Sequence, residues 1–248
     1  MTRPEIKVRF ATLDDVETIA SVVAEGMSTV EVIRFIYGNL SKEYPDDHMD
    51  RWMHRIRTCI LDPNQAVVVA ERSFNLSGGG SSTLHGIVGV SIWTLKGPCV
   101  RIREAMAESR RKIGWVAPVR HAIYTRYRNW SLWLNPLKDA NEARRAAWIK
   151  LHDQLEEKHY KPLPEYYHLE ILCTAEEARR TGAATKLIKM FLDQAEPERI
   201  PVGLESSGMG VPFYERLGFR KIDEMTLVDP EDPEGEKVSL PVYRYHYD

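Results

Sequence analysis

One stretch of this chain constrains the fold more than any other. Tyr167–Thr174 (YHLEILCT) is a run of strand formers, Ala175–Thr181 is a turn, and Gly182–Ala195 has helical periodicity. Ala184, Leu187, Ile188, Phe191, Leu192 and Ala195 fall on one stripe of that helix. A strand that passes through a short turn into an amphipathic helix needs a sheet beside it and a layer to pack on. That requirement selects a layered α/β architecture.

The rest of the chain supplies the layers. Ile6, Val8 and Phe10 alternate with Lys7 and Arg9 as a strand. Thr12–Asp15 caps a helix with Val16, Ile19, Ala20 and Val23 on one face, which Gly26 is suited to close. Helical segments are predicted at 28–40 and 46–61, the second ended by Pro63. Ala66–Glu71 and His85–Leu95 form an antiparallel hairpin around a Gly/Ser-rich loop at 73–83. Downstream come strand Ile200–Glu205, helix Val211–Leu217 closed by Gly218, and strands Phe219–Val228 and Lys237–His246. The order β-α-α-α-β-β-insertion-β-α-β-α-β-β is satisfied by a mixed sheet with helices on both faces. Residues 96–165 hold four of the six tryptophans and many arginines, and they read as a helical insertion into one domain spanning 1–248.

Charge narrows the partners. Lysine and arginine total 34 against 36 acids, a net of −2, which argues against a dedicated nucleic-acid or membrane-surface binder. Cys59, Cys99 and Cys173 form neither a disulfide framework nor a zinc spacing, so no metal is expected and a reducing compartment is. MTRPEIKVRF has no apolar leader region and no run approaches the ~20 residues of a membrane span. The expectation is a soluble, cytoplasmic protein.

The turn before the second helix carries the chemistry. Arg179-Arg180-Thr181-Gly182-Ala183-Ala184 places small residues where a helix begins. Helix starts leave about four N–H groups without partners and carry roughly half a positive charge, so an anion is held there by several bonds at once. The spacing fits neither a Walker loop nor a dinucleotide fingerprint. From spacing alone, an ordinary helix start with exposed arginines remains an equal alternative.

Here the sequence resembles a known family. Arg179, Gly182 and Ala184 match [QR]-x-x-G-x-[GA], motif A of the GCN5-related N-acetyltransferase (GNAT) superfamily. Downstream, Val211-Pro-Phe-Tyr-Glu-Arg-Leu-Gly-Phe219 looks like motif B, with Tyr214, Gly218 and Phe219 matching. The resemblance is specific over 167–222, extends in outline to 6–95 and is absent over 96–165. It implies a mixed, mostly antiparallel central sheet flanked by helices, of the acyl-CoA N-acyltransferase type.

The resemblance also implies a ternary-complex transfer from acetyl-CoA to an amine. The backbone of Leu172, Cys173 and Thr174 would pair with the pantetheine arm, and an N–H near Leu172 would polarise the thioester carbonyl. Arg179, Arg180 and the amides of Thr181, Gly182, Ala183, Ala184 and Thr185 would hold the diphosphate. Ser206 or Ser207 would meet pantetheine or simply form the loop, and Phe213 would pack on cofactor or core. Cys173 is read as structural rather than nucleophilic.

Transfer needs a neutral amine, hence a base. Glu170 and His168 share a face of their strand by alternation, a face that would also include Leu172. The family's catalytic Glu, where one exists, aligns nearest His168, so the base stays open between these two residues or neither. Tyr214 is the matching acid for the thiolate. A phenol near pKa 10 protonating a thiol near 8.5 is uphill by only ~2 kcal/mol. A packing tyrosine is the plainer alternative.

The acceptor belongs to the insertion, where Trp115, His121, Tyr124, Tyr127, Trp130 and Trp133 mix with Arg120, Arg126 and Arg128. They would enclose an aromatic or anionic substrate, or form plain amphipathic helices on the sheet. An enclosed pocket favours a small amine over a protein lysine or N-terminus. The rival from another class is a catalytically silent acyl-CoA sensor, supported by the absence of Glu at the aligned position. A longer acyl chain and a homodimer also stay open. The acidic Asp229–Glu236 segment reads as a solvated loop.

Overall fold

The computed structural model describes residues 5–75 and 83–247; the tip of the Gly/Ser-rich loop and the first four residues lie outside them. Seven strands form a single sheet in the order β1-β2-β3-β4-β5-β7-β6. They are β1 (Ile6–Phe10), β2 (Gln65–Asn75), β3 (Thr83–Lys96), β4 (Tyr166–Thr174), β5 (Val202–Glu205), β6 (Phe219–Val228) and β7 (Lys237–Tyr245). Every adjacent pair is antiparallel except β4 with β5. This is the mixed sheet that the element order implied, mostly antiparallel as the family resemblance implied.

Helices cover both faces because their apolar stripes need the sheet. On one face, α1 (Val16–Met27) and α4 (Pro45–Leu61) bury Ile19, Val23, Trp52 and Ile56 against Val69, Val90 and Ile171. On the other, α8 (Ala183–Ala195) buries Leu187, Ile188 and Phe191, with Phe191 stacked on Trp93 at 4.1 Å between ring centres. The stem of α5 (Val100–Ile113) adds Ile102 and Met106 to that second core.

Several boundaries differ from the sequence reading, for local reasons. The helix expected over 28–40 is split into α2 (Glu31–Tyr37) and the single turn α3 (Leu40–Glu43), because Gly38 takes a positive φ of 49°. Gly26 does not close α1, which continues to Met27. A Cβ there would lie 3.0 Å from that of Cys173, so the glycine serves a close approach of α1 to β4.

The insertion adds α5, α6 (Val116–Leu134) and α7 (Glu142–Leu155), followed by a π-helical turn at Glu156–Tyr160. Asp139, fully buried ahead of α7, accepts hydrogen bonds from Arg51 of α4 at 2.7 Å and 3.0 Å and lies 3.1 Å from His48. Arg144 of α7 pairs with Asp229 at 2.7 Å. Asp229 is therefore buried and anchors the insertion, whereas the sequence reading placed it in a solvated loop. The rest of that loop is mostly exposed.

Candidate active site

The site begins where two parallel strands part. β4 and β5 pair only over Tyr167–Leu169 with Val202–Leu204. β5 then stays with β7 as far as Glu205 opposite Val242, while β4 continues along β3 as far as Thr174 opposite Gly89. From Glu170 onward, the β5-facing edge of β4 thus opens into a gap. The divergence coincides with a β-bulge: Ile171 pairs with Ile92 and Leu169 with Trp93, leaving Glu170 as the extra residue.

That bulge corrects one expectation. An extra residue exchanges the two faces of a strand. Tyr167, Leu169 and Leu172 pack on the α8 side, whereas Ile171 and Cys173 pack on the α1/α4 side. His168 and Glu170 do share a face, directed toward α4 and α7. Leu172, expected beside them, lies on the opposite face.

At the far end of the gap the turn forms as its residues require. Arg180 and Gly182 take positive φ of 61° and 90°, and Gly182 caps α8 in the left-handed region. The first helical bond of α8 runs from the Lys186 amide to the Gly182 carbonyl at 3.0 Å. The amides of Gly182, Ala183, Ala184 and Thr185 therefore precede any helical acceptor. Arg179, Arg180, Thr181 and Gly182 are exposed, and Ala184 and Thr185 are half-buried. Open space lies where a Gly182 side chain would point. The Thr181 hydroxyl is already engaged, donating to the Ala178 carbonyl at 2.6 Å.

Tyr214 stands on α9 (Val211–Arg216), against Phe213 and Phe219. Gly210 makes room for it, since a Cβ there would meet the tyrosine ring at 2.9 Å. Burial, reinforced by the nearby Cys173 and Glu205, raises the phenol above its ordinary pKa. Ser206 is buried and its hydroxyl donates to the Ser207 carbonyl at 2.8 Å, while Ser207 itself is half-buried. Cys173 is buried, and burial pushes its thiol up to about 12, which keeps it protonated and inert.

The two strand residues considered as bases have different surroundings. The Glu170 carboxylate accepts from Arg55 at 2.9 Å, from Gln65 at 3.2 Å and from the Thr94 hydroxyl. Burial alone would raise its pKa, but Arg55, Thr94 and His168 outweigh it and the net shift is downward. His168 is buried, with Nε2 at 2.9 Å and 3.1 Å from the two oxygens of Glu205. Burial disfavours its charged form, yet Glu205 outweighs burial and the imidazole is more basic than usual.

His152 of α7 completes the group, with its Nε2 4.0 Å from Glu205 and its ring 5.5 Å from that of His168. Side-chain atoms of His152, His168 and Glu205 capable of binding a metal lie within 4.8 Å of one another. Sequence spacing gave no hint of this cluster, because its members come from α7, β4 and β5.

Two adjoining cavities open from these groups. The inner one, about 200 Å³, is lined by Glu170, Glu205, His152, Asp153, Arg55 and Trp148. The outer one, about 560 Å³, shares Arg55 and Trp148 and adds Tyr37, Trp52, Arg128 and Leu132, among others. The insertion does line a pocket, with Arg128 as expected but otherwise through other residues. Trp115, Tyr127, Trp130 and Trp133 are 82%, 64%, 59% and 80% exposed and enclose nothing among the described residues. Arg120 and Arg126 are exposed too. His121 and Tyr124 instead face His54 of α4.

Residues 156–229 match the family model described as an acetyltransferase (GNAT) domain. A protein of Stachybotrys chartarum named "Acetyltransferase" is 24% identical over 254 residues, covering 97% of this chain and 92% of the relative. Among solved structures, the histone acetyltransferase HPA2 and related acetyltransferase of Corynebacterium glutamicum superposes with a TM-score of 0.51 at 17% identity, over 100% of this chain and 98% of that one. The Drosophila melanogaster polyamine N acetyltransferase, which catalyses the formation of N acetylagmatine, gives 0.52 at 14% identity, over 98% and 100%.

Proposed function

We propose that this chain, whose residues 156–229 match the acetyltransferase (GNAT) domain, is an acetyltransferase that moves an acetyl group from acetyl-CoA to a small cationic amine by direct transfer in a ternary complex. Residues 1–248 work as one unit in this reading, with the helices of 96–165 inserted over the acceptor side. One observation carries it: the β4/β5 gap has an anion-accepting helix start at one end and a cleft with three carboxylates, Asp153, Glu170 and Glu205, at the other.

Acetyl-CoA lies along the gap. Its diphosphate takes the amides of Gly182–Thr185 with Arg179 and Arg180 beside it, as helix starts favour anions, whereas the Thr181 amide already donates to the Ala178 carbonyl at 3.3 Å. The pantetheine arm follows the open edge of Leu172, Cys173 and Thr174, close to Ser207 and Phe213. A β4 amide near Leu172 donates to the thioester oxygen and holds the negative charge that develops there.

The acceptor enters as an ammonium ion, drawn by the inner carboxylates. Glu170 is tied to three donors and has a lowered pKa, so it is a weak base and orients the amine. The His168–Glu205 pair is the base: Glu205 lines the cleft, and His168 behind it keeps the proton. The freed amine attacks the carbonyl carbon, the C–S bond breaks, and the thiolate takes its proton from Tyr214. The amine's second proton restores the Tyr214 phenol and the first passes from the His168–Glu205 pair to solvent, giving amide and CoA–SH.

An enclosed cleft fits a small amine better than a protein chain, and the Drosophila protein acts on such an amine; the Corynebacterium protein is named for histones. Three free, buried cysteines agree with a reducing, cytoplasmic setting. Initial rates with acetyl-CoA and a panel of agmatine, polyamines and arylalkylamines test the proposal. Release of CoA with intersecting double-reciprocal lines is the expected result. Acetyl-CoA binding without turnover on any amine would favour a silent sensor, and parallel lines would point to an acyl-enzyme instead.

A further inference from the structure

Helix α6 is amphipathic in the wrong direction for a protein that stays in water. Its polar side is turned inward: His121 lies 3.0 Å from the Thr58 hydroxyl of α4, and Arg128 pairs with Asp50 at 2.7 Å. Its apolar side is turned outward. Val116, Val119, Ile123, Tyr127, Trp130 and Leu134 follow one another at helical spacing along a single stripe, each between 45% and 66% exposed. No residue of α6 is buried. A stripe of this size on a free surface marks something that covers it.

The edges of the stripe identify the occupant. At 100° per residue, Arg120 projects along one border and Arg126 along the other, both exposed. The helix contains no acid. A second copy laid on this face would bring arginine against arginine with no carboxylate between them. An anionic surface that is apolar beneath fits both features, and tryptophan and tyrosine are the side chains favoured at such a boundary. Among the described residues no helix is long and apolar enough to cross a membrane. The geometry is that of a helix lying on the surface.

We propose that α6 docks this protein on membranes containing anionic lipid, with Ile123, Tyr127 and Trp130 inserted and Arg120 and Arg126 against headgroups. The near-neutral total charge, read earlier against a membrane surface, conceals this local arrangement because the acids lie elsewhere in the chain. The inference is independent of which amine is acetylated. The outer cavity, lined by Arg128 and Leu132, lies on the opposite, inward side of the same helix.

Co-sedimentation of the full chain with vesicles tests it, comparing phosphatidylcholine alone with phosphatidylcholine plus phosphatidylserine. Binding to the anionic vesicles is expected, falling by at least about tenfold in Ile123→Asp/Trp130→Asp and in Arg120→Glu/Arg126→Glu. Circular dichroism of both variants should match wild type, because the altered side chains support no core. Absence of vesicle binding at low salt, or binding unchanged by the apolar double variant, would overturn the proposal. So would a dimer detected by light scattering that the apolar double variant abolishes, since a second copy would then cover the stripe.

Discussion

At the level of single residues, catalysis turns on which groups hold the protons. Burial raises the Tyr214 phenol, so it stays protonated through neutral pH, as an acid for the leaving thiolate must. Tyr214→Phe should lower kcat by ~10²-fold or more, with KM for acetyl-CoA nearly unchanged, the mark of an interaction made in the transition state. Unchanged turnover would remove the acid role. His168 behaves oppositely: its pKa is raised by Glu205 against the pull of burial. The base acts when deprotonated, so kcat/KM should climb with pH through a limb above the ordinary histidine value of ~6.5. Removing the negative partner in Glu205→Gln takes away the largest raising influence and leaves only Glu170 and Glu156 against burial, so that limb should move to lower pH while kcat falls. A limb that stays in place would show that His168 does not set it.

Elements decide whether those residues meet. Asp139 ties the start of α7 to α4 through Arg51 and His48. Asp139→Ala leaves the largely buried Arg51 guanidinium with only the half-exposed Glu142 at 3.0 Å as partner and should destabilise the fold by ~1–3 kcal/mol in urea unfolding. In the native protein the hydrogen bonds to His48 and Arg51 overcome burial and depress the Asp139 pKa. Its stabilisation is therefore complete above the unfolded aspartate value of ~3.9 and is lost as pH falls through the lower, folded value. Legibility from sequence also divides at this scale. The β4–turn–α8 unit and the Val211–Phe219 segment were readable because each keeps its chemistry within a few consecutive residues. The bulge at Glu170 was not, because it is defined by the partner strand β3, and so Leu172 was assigned to the wrong face. Glu205 ends an apolar strand and looks unremarkable until parallel pairing of β4 and β5 brings it to His168.

Over the whole molecule, the sheet and its two cores hold the gap while the insertion shapes what reaches it. Periodicity identified helices in 96–165 but could not tell which side of α6 faces inward, since either side of an amphipathic helix gives the same period. Of the aromatic residues expected around substrate, Trp115, Tyr127, Trp130 and Trp133 therefore face solvent, and the cleft is closed by α7 instead. Because α6 contributes no buried residue, its amides should exchange with solvent much faster than those of β3, β4 and α8 in hydrogen-exchange mass spectrometry. Protection of α6 equal to that of α8 would mean that it packs on a core.

Everything proposed about catalysis depends on acetyl-CoA occupying the gap with its diphosphate on the α8 turn. Isothermal titration of acetyl-CoA into wild type and Gly182→Val tests that directly. Gly182 holds a φ of 90°, which a β-branched residue adopts only at a cost of ~1–2 kcal/mol, and the altered turn withdraws amides from the phosphates. One site per chain is expected in wild type, weakened by roughly tenfold or more in the variant, as that cost implies. Absence of binding to wild type, or equal affinity in the two proteins, would contradict the account.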